Sequence, residues 1–375
     1  MSRALQRGEV AWDATGKGAA PAETLAPPNA DFFRQPLAPI LTALGVAVLV
    51  VLAVSFARAN GLVAALWGAG GVAMAAWLRG GRGLQYDLGF GVLVVAGVFA
   101  GEILAGNGPS LSVLFTLTNL LEIVLAVVLT RRLVTGLHVD SVQGLARFLT
   151  ICAIAPLPSA LISAGALSSM VGEDFLDAFR IWWSGHALGF AVIGVFGLSL
   201  RKAHLRVLKQ PARLAEGVGL GVLLASACYA IFSHLSLPYG FLLLPLIVIA
   251  AVRFRVIGAA WALLVVSVVA IGGTMAGHGP YHQFGAEDRA LLAQLLVLLG
   301  YMPILMVAAL LEERDRLMLR AKEGRLRAER ASAAKSRLLA NVAHEIKSPI
   351  GGVIGIGELW AGGHLGQTTD SQVEM

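Results

Sequence analysis

The chain has few charged residues and few cysteines, and each shortage excludes a class of protein. Only 14% of its 375 residues are charged whereas 57% are hydrophobic, a balance too apolar for a water-soluble domain. The two cysteines, Cys152 and Cys228, stand in apolar stretches with no CxxC spacing and no histidine partner. They are expected to pack as small hydrophobic side chains, and neither a disulfide framework nor a metal site is predicted.

The net charge of +6 does not indicate a nucleic-acid-binding protein. The basic residues fall between apolar runs and do not form one patch with interleaved aromatic residues, so no nucleic-acid partner is expected. With a mean hydropathy of +0.75 over the whole length, the chain is too long and too apolar to be a singly anchored domain. The composition predicts an all-α, polytopic helical membrane bundle whose main partner is the lipid bilayer.

The apolar runs begin at Leu37 and follow one another to residue 310. Residues 1–36 are polar and rich in Ala, Pro and Gly, and are predicted to form a disordered cytoplasmic tail. A bilayer core of roughly 30 Å requires about 20 residues per helical pass. Two short runs, 62–78 and 240–252, could be re-entrant or merged with their neighbours, so the count lies between eight and ten. The ten predicted passes are 37–57, 62–78, 90–106, 112–130, 148–170, 181–200, 217–236, 240–252, 256–276 and 291–310.

The distribution of Lys and Arg predicts that both termini are cytoplasmic in a bacterial inner membrane. Basic residues collect in the cytoplasmic loops of membrane proteins. With a cytoplasmic amino terminus, three basic residues fall in outside loops, Arg58, Arg180 and Arg289. Twelve fall in inside loops: Arg79, Arg82, Arg131, Arg132, Arg147, Arg201, Lys202, Arg206, Lys209, Arg213, Arg253 and Arg255.

Four strongly polar residues lie within the predicted passes, namely Glu102, Asn119, Glu122 and His186. Uncompensated charge is costly inside a membrane, so such groups pair with one another or face a cavity. Glu102 and Glu122, on consecutive passes, could approach and share a proton. The four residues are candidates for sensing a ligand or protons. The alternative is that they form hydrogen bonds between helices that only fix their packing.

Four sequence runs within residues 40–310 resemble a known family. They are WGAGGVAMA at 67–75, TNLLE at 118–122, WWSGHALG at 182–189, and LPL at 244–246 with AVRF at 251–254. Together they resemble MASE1, a family of bacterial membrane-associated sensor domains. The resemblance implies a multipass input module that precedes a histidine kinase or a cyclic-dinucleotide enzyme along the chain. His186 stands where the family tends to have an acidic residue.

The pattern changes after the last predicted pass. Residues 311–334 carry charges of opposite sign three and four positions apart, which favours an exposed helix. An interrupted heptad-like series of apolar residues predicts a short coiled-coil-like signalling helix that transmits a shift of the last pass. This apolar seam consists of Leu310, Leu317, Ala321, Ala328, Ala331, Leu338 and Val342.

Residues 335–375 begin with KSRLLANVAHEIKSPIGGVIG, in which a histidine is followed by an acidic residue and, five positions on, by proline. A neutral imidazole is a nucleophile that can attack a phosphoryl group near pH 7. The run resembles the first helix of the dimerisation and phosphotransfer hairpin of sensor histidine kinases. The resemblance implies that His344 is the phosphoacceptor and that Glu345 orients its ring and accepts its proton. Lys347 would neutralise phosphate charge, Ser348 could position a water in the reverse reaction, and Pro349 would bend the helix.

Past Trp360 the glycines at 362 and 363 predict a helix stop, and Ser371 to Met375 could begin the returning helix of the hairpin. The sequence shows no nucleotide-binding loop, so this partial phosphoacceptor domain is expected to hold no cofactor of its own and to need ATP and Mg²⁺ on a kinase domain supplied in trans. The expected partners are a second copy of the chain, that kinase domain and a response-regulator receiver domain. A multipass transporter or channel with a helical tether is the alternative, and a non-enzymatic input or scaffold fragment is a third interpretation.

Overall fold

The computed structural model describes residues 33, 35–59, 65–200, 210–364, 366 and 369–373. Most of the predicted tail, the start of the second predicted pass and Met375 lie outside the described residues. So do four basic residues of one predicted inside loop, Arg201, Lys202, Arg206 and Lys209. The chain divides into two compact units, Met1–Glu313 and Arg314–Met375.

The regular elements in the described ranges are all helical, which confirms the all-α prediction. Short 3₁₀ turns at Thr135–Leu137 and Tyr239–Leu243 and a π-helical turn at Leu296–Tyr301 join the longer helices. The α-helices are α1 Ala38–Ala59, α2 Gly68–Arg79, α3 Leu84–Leu104, α4 Pro109–Leu133, α5 Val142–Ile154, α6 Leu157–Val171, α7 Phe175–Ser199, α8 Pro211–His234, α9 Leu244–Met275, α10 Ala286–Leu295, α11 Pro303–Ala361 and α12 Asp370–Val373.

Eight helical segments of the described chain are long and apolar enough to cross a bilayer, within the predicted range of eight to ten. The predicted pass at 62–78 is not one of them, because α2 has only 12 residues and rises about 18 Å. Nine of those residues are buried by other helices, so apolarity here reflects protein contact. Arg58 at the end of α1 donates to the Ala105 carbonyl at the end of α3. These two helices are therefore parallel. The segment between them leads the chain from the end of α1 back to the side of the bundle where α1 begins.

The predicted passes 240–252 and 256–276 lie in one helical segment that folds back on itself. Arg255 has φ 59° and ψ −145°, which no helix accommodates. A methyl group on Gly258 would collide with the carbonyl oxygen of Ala250, whereas in a straight helix residues eight apart are separated by about 12 Å. The chain reverses at Arg255, so α9 consists of two antiparallel halves.

The helices of the first unit differ greatly in how much of their apolar surface other helices cover. In the most apolar 18-residue stretch of α7, 78% of the residues are buried inside the protein, whereas in that of α1 only 17% are. Large apolar side chains such as Leu44, Leu52 and Val222 are about 60% exposed. Apolar faces of this extent are unfavourable in water and suited to lipid. The chain is therefore a multi-pass membrane protein with α7 at its centre.

Close helix contacts in the bundle depend on glycine. A methyl group on Gly101 of α3 would lie 2.6 Å from Cβ of Val50 in α1, and one on Gly97 would lie 2.5 Å from the Ala43 carbonyl oxygen. No real side chain tolerates such distances, so this small-residue pair brings the two helices together. A methyl group on Gly221 of α8 would likewise collide with the Trp261 ring.

In the second unit, α11 runs to Ala361, and every residue from 317 to 354 is exposed. Six of the seven apolar residues of the predicted coiled-coil seam are among them, with Leu338 63% exposed, and the seventh, Leu310, is an exposed residue of the first unit. The predicted helix stop is confirmed, since α11 ends at Ala361 and Gly363, two residues further on, has φ +73°. The short α12, Asp370–Val373, begins close to the predicted start of the next helix.

Candidate functional site

The carboxylate of Glu122 joins three helices in the interior of the first unit. Glu122 lies on α4 and is fully buried. Nδ1 of His186 on α7 lies 2.6 Å from its Oε1 atom. The hydroxyl of Ser159 on α6 donates to its Oε2 atom and also lies 2.9 Å from the Pro156 carbonyl oxygen. Because a buried carboxylate is stable only when its oxygens are hydrogen-bonded, this network sets the position of α4 against α6 and α7.

The imidazole of His186 is held between two indole rings. Its centroid lies 5.1 Å from that of Trp67, with an interplanar angle of 6°, and 4.6 Å from that of Trp182, with an angle of 18°. The backbone N–H of Trp67 donates to the Gly185 carbonyl at 3.2 Å. A side chain at Gly189 would collide with the Trp67 carbonyl, so glycine permits this approach. The stacking and the bond to Glu122 together fix the plane and direction of the ring.

A second network lies at the ends of α1 and α3. Glu102 is 1% exposed and accepts a hydrogen bond from the side-chain amide of Asn107. The guanidinium of Arg58 donates to Asn107 Oδ1 at 2.6 Å and to the Ala105 carbonyl. The carboxylate of Glu102 is therefore held close to a cation but does not bond to it directly.

A third network attaches the last pass to α7. Oε1 of Gln294 on α10 accepts a hydrogen bond from the hydroxyl of Ser184 at 2.6 Å. Its Nε2 atom donates to the Ala65 carbonyl at 2.8 Å. Because Gln294 is fully buried, these bonds tie α10 to the central helix.

A cavity of about 430 Å³ lies where these networks meet, at the ends of α1, α3 and α6 and the beginnings of α4, α7 and α10. Its size is within the range of pockets that hold small molecules. Three carboxylates, one guanidinium, one imidazole and three aromatic rings line it among aliphatic residues. The lining consists of Val54, Ala57, Arg58, Trp67, Glu102, Asn107, Phe115, Leu167, Val171, Glu173, Ala178, Ile181, Trp182, His186 and Glu287.

The structure brings three of the four predicted sensing residues to this region. Glu102 and His186 line the cavity, and Glu122 lies behind His186 and is bonded to it. The structure gives Glu102 and Glu122 separate partners in place of the proton that the two were expected to be able to share: Glu102 accepts from Asn107, and Glu122 bonds to Ser159 and His186. Asn119 does not join them, since its amide donates to the Phe115 carbonyl of its own helix at 2.8 Å.

Sequence reasoning missed several residues of the site. Gln294 lies in a predicted pass and could have been found by the same test for polar groups that found Glu122. Ser159 and Ser184 are common residues in membrane helices and carry no such signal. Trp67 stands in one of the family-like runs, but its contact with His186 joins residues more than a hundred positions apart.

The predicted phosphoacceptor residues lie in the second unit, on consecutive turns of α11. His344, Glu345, Lys347 and Ser348 are exposed residues of α11. Residues three and four apart share a helix face, so Lys347 and Ser348 lie beside His344. The helix continues through Pro349 to its end at Ala361, so proline does not terminate it.

Comparison with known families matches residues 36–315 to a family model, MASE1. The chain belongs to the MASE1 family. MASE1 is a membrane sensor domain typically found in signalling proteins, and its matched range agrees with the predicted 37–310. No curated protein and no solved structure matches the chain. In this MASE1 domain, three of the family-like runs meet at the cavity region, through Trp67, Glu122, and Trp182 with His186.

Proposed function

We propose that the chain is the membrane sensor of a two-component phosphorelay, with the MASE1 bundle as input and His344 as the phosphoacceptor. The observation that carries this proposal is the position of His344: it stands in the His-Glu-x-Lys-Ser-Pro run on an exposed helix that follows the sensor domain in the chain. An acceptor must be reached by two protein partners, and the exposure of α11 is suited to that.

In the proposed reaction this chain supplies the nucleophile, and a separate kinase domain holds ATP. A ring nitrogen of His344 attacks the γ-phosphorus of ATP held on a kinase catalytic domain, the bond to the β-phosphate oxygen breaks and ADP leaves. The ring proton goes to Glu345. Lys347, three positions along the same face, offsets the charge of the transferred phosphoryl group. The phosphoryl group then passes to the receiver domain of a response regulator.

We place both termini in the bacterial cytoplasm and expect a homodimer. The positive-inside bias supports the orientation, and ATP is available only on that side. The exposed apolar residues of α11, including Leu317, Leu338 and Val342, support pairing with the same helix of a second copy.

The test uses the full chain in nanodiscs with the catalytic domain of a sensor histidine kinase, Mg²⁺ and γ-labelled ATP. The chain should acquire an acid-labile, alkali-stable label that His344→Gln abolishes. His364→Gln is the matched control, because His364 is another exposed histidine of the same unit and should leave labelling unchanged. A label that persists in His344→Gln, or none in the unaltered chain, contradicts the assignment.

A further inference from the structure

We infer that the cavity of the MASE1 bundle binds a small protonated amine, with Glu102 as its counter-charge and His186 as a hydrogen-bond acceptor. This inference deepens the proposed function, since it names the class of ligand that the input domain takes. It concerns the cavity of about 430 Å³ and not the phosphoacceptor helix.

The first observation is an unused polar atom in the cavity wall. His186 is 2% exposed and lines the cavity, and its Nδ1 atom is engaged with Glu122 at 2.6 Å. Within the described residues Nε2 has no hydrogen-bond partner. Because Glu122 also accepts from Ser159, the network assigns the imidazole proton to Nδ1. In the neutral imidazole that carries its proton on Nδ1, Nε2 is an acceptor at the cavity wall, and a ligand with a hydrogen-bond donor would pair with it.

The second observation is the charge of the lining. It contains three carboxylates, Glu102, Glu173 and Glu287, against one guanidinium, that of Arg58. The guanidinium donates to the Ala105 carbonyl and to Asn107, so its donors are directed at the protein. Glu102 is the buried member of the three, and its carboxylate has a hydrogen bond from Asn107 but no direct ion pair, so desolvation makes its charge costly there. A cationic ligand would relieve that cost, whereas an anionic ligand would increase it.

The third observation is aromatic surface beside these charges. Trp67, Phe115 and Trp182 line the same cavity, and Trp182 packs against Phe115 with centroids 5.2 Å apart. Aromatic rings next to carboxylates favour cations that also carry apolar atoms. Negative charge, aromatic surface and the acceptor on His186 together favour a protonated amine with an apolar body, and the unpartnered indole N–H groups of Trp67 and Trp182 can bond to an acceptor on the same ligand.

The experiment measures binding to the full chain in nanodiscs by calorimetry and tryptophan fluorescence. The probes are phenethylamine and putrescine, each paired with a neutral alcohol of the same shape, 2-phenylethanol and 1,4-butanediol, and succinate serves as an anionic probe. At least one amine should bind saturably and at least tenfold more tightly than its alcohol, and succinate should not bind. Absence of saturable amine binding, equal affinity for the alcohol, or preference for succinate overturns the inference.

Variants locate the site. Glu102→Gln should reduce amine affinity at least tenfold and remove the preference over the alcohol. Glu287→Gln, an exposed position at the rim, should reduce amine affinity severalfold and remains informative if the buried substitution prevents folding. Glu216→Gln is the control, because Glu216 lies on α8 in an ion pair with Arg253 and is not part of the cavity. Unchanged affinity in both cavity variants overturns the assignment of the site. No ATP or kinase is present, so failure here leaves the test of His344 unaffected, and the reverse also holds.

Discussion

Substitution of Glu122 distinguishes hydrogen-bond geometry from charge as the force that holds α4 against α6 and α7. In Glu122→Gln, the amide oxygen can accept the Nδ1 proton of His186, and the amide nitrogen can donate to the Ser159 hydroxyl. That hydroxyl keeps an acceptor, the Pro156 carbonyl at 2.9 Å. Every group remains paired, and only the difference between a charge-assisted and a neutral hydrogen bond is lost. We expect a destabilisation of about 1 kcal/mol or less.

Glu122→Ala removes the acceptor altogether, and the cost is larger. Ser159 still bonds to Pro156, but Nδ1 of His186 is left buried without a partner, which costs about 1–3 kcal/mol. The missing carboxylate group leaves roughly 50 Å³ of empty space, worth about 1 kcal/mol. The expected destabilisation of Glu122→Ala is therefore about 2–4 kcal/mol, several times that of Glu122→Gln.

The assay is reversible unfolding of the purified chain in mixed micelles, followed by circular dichroism against the mole fraction of SDS. Glu216→Gln and Glu216→Ala form the control pair, because Glu216 makes a partly exposed ion pair, and both should stay within about 0.5 kcal/mol of the unaltered chain. Equal destabilisation in Glu122→Gln and Glu122→Ala would show that charge, and not geometry, dominates. If Glu122→Ala leaves the free energy of unfolding unchanged, the structural role of the network is refuted.

Two further substitutions test helix packing and the end of the last pass. Gly101→Ala places a methyl group 2.6 Å from Cβ of Val50 and should destabilise the bundle by about 1–3 kcal/mol, whereas Gly89→Ala on the same helix, with nothing within 4 Å, should not. Equal stability of these two variants by the same SDS assay would contradict the packing argument. Glu313 accepts a hydrogen bond from the backbone N–H of Val142 at 3.1 Å, so Glu313→Ala should speed hydrogen exchange at that amide and cost about 0.5–2 kcal/mol. Unchanged exchange at Val142 would show that the contact does not persist in solution.

Most of the fold could be predicted from the sequence because the bilayer imposes one length and one polarity on every exposed pass. The apolar runs that form α1, α3 and α4 have this length and polarity. The exception is α2. Its apolar residues, such as Met74 and Trp77, are covered by protein and not by lipid, and hydropathy does not distinguish the two environments. The reversal at Arg255 was located correctly because the interruption of two apolar runs by arginines marks a helix end.

Some residues of the candidate site could be predicted from the sequence, but the contacts between them could not. Ionisable residues within apolar runs are few, so Glu102, Glu122 and His186 could be selected one by one. Adjacent passes suggested that the two carboxylates would meet. The partner of Glu122 is instead His186, 64 positions away, because α7 lies at the centre of the bundle and presents the imidazole to α4. Such a pairing depends on tertiary geometry that no local pattern encodes.

The polar contacts of the last pass within the first unit explain how a small binding energy could change its position. Gln294 ties it to α7 near the cavity. At its far end, Glu313 accepts from Val142, the first residue of α5, and Glu312 accepts at 3.4 Å from Val256, directly after the reversal in α9. Carboxylates at helix amino termini are favourable because unpaired N–H groups and the helix dipole meet them there.

Moving the last pass along its axis would break several of these bonds, each worth about 1 kcal/mol net, so such a movement would cost a few kcal/mol. A ligand that binds one arrangement about a hundredfold more tightly supplies roughly 2.7 kcal/mol, which is enough to reverse a preference of that size. Glu287 lines the cavity at the beginning of α10, so a ligand bound there would touch the element that has to move. A ligand in the proposed site would therefore act through Glu287 on the same segment that Gln294, Glu312 and Glu313 hold in place.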